Sequence, residues 1–170
     1  ILNLMRQKKP LKKYKSVFEK GFILLSFYDD EIVKNLEING LIKNVKVIEN
    51  PGSYLDLIEE KFEFNGSQID WLKTKNHFSI ESNNESLLTD ASLFISELKE
   101  KYLNNSVEIM YIGDGLTEFG YQFESKDIEQ ILVCLLEIPQ HHYFIPLDGD
   151  WCFCVSFENY LDFGFSFNRN

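Results

Sequence analysis

The sequence predicts an α+β fold, an antiparallel sheet with helices packed mainly on one of its faces. Three observations point there. The C-terminal run from Pro139 to Phe167 breaks into three short apolar segments, His141–Ile145, Trp151–Phe157 and Tyr160–Phe167, separated by turn chemistry. Helical periods are interspersed before it without a regular strand–helix alternation. Aromatic residues make up 15% of the chain, with fifteen Phe, which suits sheet surfaces and a bulky core.

Taken in order, residues 1–20 read as a basic lead-in with a helical turn or two around Leu11–Lys20. Residues 21–170 read as one α+β domain. Phe22–Tyr28 suits a buried strand, and Asp29 is a fair N-cap for a short helix over Asp30–Leu36. Leu41–Glu49 alternates, with Val45 and Val47 on one face and Lys46 and Ile48 on the other, and Asn50-Pro51-Gly52 turns the chain. Ser53 caps a helix to Lys61, and Ser67–Lys75 can form another helical turn. His77–Ile80 is a strand candidate. The longest helix ends near Tyr102 and places Leu88, Leu93, Phe94, Leu98, Tyr102 and Leu103 on its apolar face.

Val107–Ile112 reads as an interior strand, Gly113-Asp114-Gly115 turns it, and Thr117–Phe123 returns beside it. Lys126–Ile138 is a helix with a stripe of Ile128, Ile131, Leu132 and Leu135, closed by Pro139. Glu158-Asn159 sits where a tight hairpin places its loop.

Charge is unevenly distributed. The net charge is −10. The first twenty residues contribute +6, and the remaining 150 carry −16. Such a surface repels nucleic acid and favours a basic partner. No apolar run approaches the roughly 20 residues of a membrane helix, and no membrane association is expected. Cys134, Cys152 and Cys154 read as reduced cytoplasmic thiols, since two cysteines two apart on one strand share a face and are poorly placed for a disulfide.

Several groupings could carry chemistry. His141 and His142 are adjacent on a strand and point to opposite faces, so they cannot easily share a metal. One of them with Cys152 and Cys154 lacks an evident fourth zinc ligand, and no metal or cofactor is expected. A Cys–His hydrolase built on His141 and Cys152 is the catalytic alternative, although no oxyanion hole or nucleophile elbow accompanies it. Gly113-Asp114-Gly115 lacks the length and Lys of a phosphate loop. The carboxylates cluster at turns: Asp114 with Glu118, Asp148 with Asp150, Glu158 with Asp162. Beside Trp151, Tyr143 and Tyr160 they would make a surface for Lys and Arg side chains.

The stretch Leu135–Phe165 carries a resemblance. A helix ending in Pro139 is followed by an H-x-Y-F strand (His141–Phe144), a D-x-x-W-C turn (Asp148–Cys152) and a hairpin closing on Asp162-Phe163-Gly164. This resembles bacterial immunity proteins that guard against contact-dependent growth inhibition and other polymorphic toxins. The I-P-x-D segment at Ile145–Asp148 is similar to a strand–turn–strand of the SUKH immunity superfamily. The resemblance implies a small non-enzymatic cytoplasmic protein that blocks the active site of its cognate toxin domain, often a nuclease with a basic cleft. On that reading Asp114, Glu118, Asp148, Asp150, Glu158 and Asp162 pair with basic toxin residues and Trp151 is the anchor. A non-catalytic regulatory binding module is the other alternative.

Overall fold

The computed structural model describes residues 14–18, 21–102 and 106–167. The rest of the basic lead-in, and Leu103 of the expected apolar face of the longest helix, lie outside the described residues. The helical turn expected around Leu11–Lys20 is replaced by a strand. β1 (Tyr14–Phe18) pairs antiparallel with β2 (Gly21–Leu25) as a separate ribbon.

The body is a seven-stranded sheet made of β3 (Lys46–Ile48), β6 (Lys75–Glu81), β7 (Glu108–Gly113), β8 (Gly120–Glu124), β9 (His142–Pro146), β10 (Trp151–Val155) and β11 (Tyr160–Phe165). Their spatial order is β3-β8-β7-β9-β10-β11-β6. Every pairing is antiparallel. The α+β architecture inferred from the sequence is therefore what forms.

One face of the sheet is covered by α1 (Phe27–Ile38), α3 (Leu87–Tyr102) and α4 (Ile128–Leu135). Ile32, Leu36, Ile95, Leu98 and the expected α4 stripe pack there against Ile109, Tyr111, Phe144, Phe153 and Phe163. The opposite face is smaller. α2 (Gly52–Lys61) covers it with the ribbon of β4 (Phe64–Asn65) and β5 (Gln68–Ile69), burying Met110, Ile112, Ile145, Cys152 and Cys154 under Ile58, Phe62 and Ile69. Strands β9 and β10 are buried along their whole length. Alternate side chains of such strands must suit two different interiors, which explains their near-continuous apolar sequence.

Local chemistry corrects three expectations. The first helix starts at Phe27, because Ser26 takes the N-cap and its hydroxyl accepts the Asp29 amide. α4 ends at Leu135, and Leu136–Gln140 form turns before β9. On α3, Leu93 and Leu88 face outward, while Ala91 and Ile95 join Phe94 and Leu98 in the buried stripe.

Asp29 has a long-range role instead of the N-cap role expected. Its carboxylate is completely buried. It accepts from the Ser26 hydroxyl, the Glu118 N–H at 2.8 Å, the Phe119 N–H at 3.4 Å and the Tyr121 hydroxyl at 2.7 Å. The start of α1 is thereby tied to the chain returning into β8. Asp29→Ala would leave these donors facing an interior without an acceptor, and each unsatisfied buried group costs about 1–3 kcal/mol. Urea denaturation should show a loss of about 3 kcal/mol or more, and hydrogen exchange should show faster exchange at Glu118 and Phe119 than at the centre of β7.

Candidate functional site

Three chain reversals meet at one end of the sheet: the exit of β7, the start of β9 and the β10–β11 hairpin. The register brings them together, with Gly113 opposite His142 and His142 opposite Val155. The hairpin turns earlier than the Glu158-Asn159 loop expected: β10 ends at Val155, and the loop is Phe157, Glu158 and Asn159. Ser156 N–H donates to Tyr160 O at 2.8 Å, and Asn159 takes a left-handed φ of 66°.

The two adjacent histidines occupy opposite faces. His142 is buried on the helical side. Its Nε2 donates to Ile138 O at 3.0 Å, so Nδ1 accepts from the Tyr111 hydroxyl at 3.1 Å. Gln140 extends this network. Its Nε2 donates to Tyr111 Oη at 2.9 Å, and its Oε1 accepts the Leu116 N–H at 3.0 Å. Gly113 makes room for it, since a Cβ there would come within 2.1 Å of Gln140 Nε2. Burial lowers the His142 pKa from 6.5 to about 4, which keeps the ring neutral.

His141 turns to the other face. Its N–H donates to Asp114 Oδ1 at 3.1 Å, and its Nδ1 accepts the Phe157 N–H at 3.2 Å. Its Nε2 lies 2.9 Å from the Gln68 side-chain Nε2. The nearest carboxylate oxygens of Asp114 and Glu158 stand 3.8 and 3.9 Å from the ring nitrogens. A cleft of about 240 Å³ opens beside it, lined by Gln68, Trp71, Tyr143, Cys154, Glu158, Tyr160 and Asp162. Asp162 is bonded to His77 Nε2 at 2.9 Å, and the Trp71 ring stacks on His77 at 5.9 Å.

A second, more apolar cleft of about 420 Å³ lies across the hairpin tip, between the start of α3 and the end of α4. Leu88, Val133, Glu137 and Phe157 are among its lining residues. Phe157 is 59% exposed at the tip. No Lys or Arg lines either cleft among the described residues.

The structure brings together Asp114, Glu158 and Asp162 from the expected set and separates the others. Asp148 and Asp150 sit in the β9–β10 turn, where Asp148 Oδ1 accepts the Asp150 N–H at 3.1 Å. That turn is at the opposite end of five-residue strands, roughly 17 Å away at strand rise. Glu118 belongs to the loop held by Asp29 on the helical side. Trp151 is only 4% exposed and packs on Phe163 in the core, so it cannot serve as the anchor assigned to it. Asp162 is 7% exposed, with His77 as its partner. The sequence reading missed Phe157 because it placed the hairpin loop at Glu158-Asn159; the polar Ser156 just before it was the available signal for an earlier turn.

Cys152 does not meet His141. The register carries Cys152 past the Tyr143–Cys154 pair to the level of Ile145, about 13 Å along the strand. Burial pushes the thiols of Cys152 and Cys154 well above their ordinary range. Groups of three or more potential metal ligands are absent among the described residues. Comparison with family models, curated proteins and solved structures returns no significant match.

Two outcomes test this geometry. His142 binds its proton less readily folded than unfolded, so its contribution is complete above pH 6.5 and is lost as pH falls toward 4. Denaturation across that window should lose roughly 3 kcal/mol from this group, and His142→Gln should flatten the slope. Thiol labelling at neutral pH should be slow for all three cysteines in the folded protein and rapid once denaturant unfolds it.

Proposed function

We propose that the protein is a non-catalytic binding protein that captures and neutralises a basic protein partner. On the C-terminal resemblance, that partner is a cognate bacterial toxin domain of the nuclease type, held off in the cytoplasm. The observation that carries this reading is the exposed Phe157 beside two clefts whose charged lining is acidic, Glu137 in one and Glu158 and Asp162 in the other, with Asp114 3.8 Å from His141 nearby. An aromatic anchor ringed by carboxylates suits a basic cleft. Phe157 would fill an apolar pocket while the acids displace the anionic substrate from lysines and arginines. The −16 carried outside the first twenty residues adds long-range steering toward such a partner. Among the described residues no helix is long and apolar enough to cross a membrane.

The binding residues are accordingly Phe157, Glu158, Asp114 and Glu137, with Tyr160 at the margin. A suitable probe is the C-terminal domain of a large secreted protein encoded beside this chain, tested by titration calorimetry and by nuclease inhibition. Phe157→Ala and Glu158→Lys should each weaken binding by about 2 kcal/mol or more. Asp148→Lys, at the far end of the sheet, should change affinity by less than about 0.5 kcal/mol. Equal losses at both ends, or none at Phe157, would reject this surface.

A further inference from the structure

The last strand of the sheet, β6, has one partner. β11 pairs along one side, and among the described residues no strand pairs with the other. The ladder shows which backbone groups are free. Ser82 N–H donates to Asn159 O at 2.9 Å, which places residue 82 in the hydrogen-bonded series with Ile80–Leu161 and Phe78–Phe163. The amides and carbonyls of His77, Ser79 and Glu81 therefore point to the open side. Asn76, with φ at 49°, breaks the strand beside the register shift at Phe163/Phe165, so the straight segment runs from His77 to Glu81.

That five-residue segment is complementary to itself. An antiparallel copy with the two-fold axis at Ser79 sets His77 opposite Glu81 of the other copy, and Phe78 opposite Ile80, each twice. The first pairing lies on the α2 side of the sheet, where His77 already meets Asp162. The second lies on the helical side, where Phe78 packs on Tyr102 and Phe163. All three outward residues fall in hydrogen-bonding positions in this register, and Phe78–Ile80 become the close non-hydrogen-bonded pairs that aromatic and β-branched side chains favour. Phe78 and Ile80 are 38% and 42% exposed, and Leu93 of α3, 61% exposed, stands over the same groove.

We infer that β6 pairs with β6 of a second copy of this chain, giving a two-fold dimer with a continuous fourteen-stranded sheet. This follows from the strand and its ladder and does not depend on the partner reading above.

Sedimentation equilibrium should show a concentration-dependent dimer. Ile80→Lys, at an exposed position counted twice across the axis, should raise the dissociation constant about 100-fold. Ser79→Cys places two thiols on the axis with Cα atoms about 5.5 Å apart, within disulfide reach. It should cross-link under mild oxidation, while the wild type, with its three cysteines buried, should not. A chain that stays monomeric at millimolar concentration overturns the inference. So does a dimer that tolerates Ile80→Lys, and so does one in which Ser79→Cys fails to cross-link.

Discussion

His142 is held on both ring nitrogens, and the site at this end of the sheet depends on that. Strand β9 lies between two apolar interiors, so a polar ring on it must find partners within the protein. Tyr111 and Ile138 supply them. Once residue 142 is fixed toward the helices, strand alternation sends residue 141 to the other face. There His141 accepts the Phe157 amide and receives the hairpin tip against it. The internal hydrogen bonds therefore set the position of an exposed feature, the Phe157–Glu158 turn, through a single strand step.

The same corner holds the loop between β7 and β8. Gln140 takes the Leu116 amide and Asp29 takes those of Glu118 and Phe119, so both halves of the loop end on buried acceptors. Neither acceptor has a basic partner within this network. Neutral donors in sufficient number replace the charge, an arrangement sensitive to the loss of any one member because the others remain in low dielectric. Burial also pushes the Tyr121 and Tyr111 hydroxyls far above their usual range, which keeps them as donors. Buried hydrogen bonds of Gln140 and His142 lie beneath the larger cleft, and the exposed side chains stand above them.

What the sequence revealed and what it hid divide by range. The α4 stripe, the opposed histidines and the shared face of Cys152 and Cys154 all follow from periods of 3.6 or 2, and all are present. Asp29 was legible as a helix-start residue but not as the acceptor for amides some ninety residues away. The acids looked alike because turn carboxylates share one local signature. Only the strand register shows that Asp114 and Glu158 meet while Asp148 closes the opposite end. Trp151 looked like an anchor because it follows a polar turn, yet alternation with Phe153 and Val155 commits it to the helical core. Leu93 failed for a related reason: spacing gives α3 an apolar face but not its width, and the sheet is covered by a narrower stripe.

A sheet covered on both faces leaves its ends and its outer strands as the places where a partner can approach the backbone. This protein treats the two differently. At the His141 end the charges are carboxylates, and matching them requires a surface of opposite sign, so a second copy of an acidic chain is disfavoured there. In the proposed pairing along β6 a histidine, His77, faces the Glu81 carboxylate of the other copy and Phe78 faces Ile80, so the strand can satisfy itself. Like-charge repulsion between two molecules this acidic acts over a Debye length, about 8 Å at physiological salt, and opposes association everywhere. Backbone pairing along β6 acts at contact distance and can offset it without a basic partner. On the two proposed readings, self-association runs along a strand and partner capture acts at a strand end.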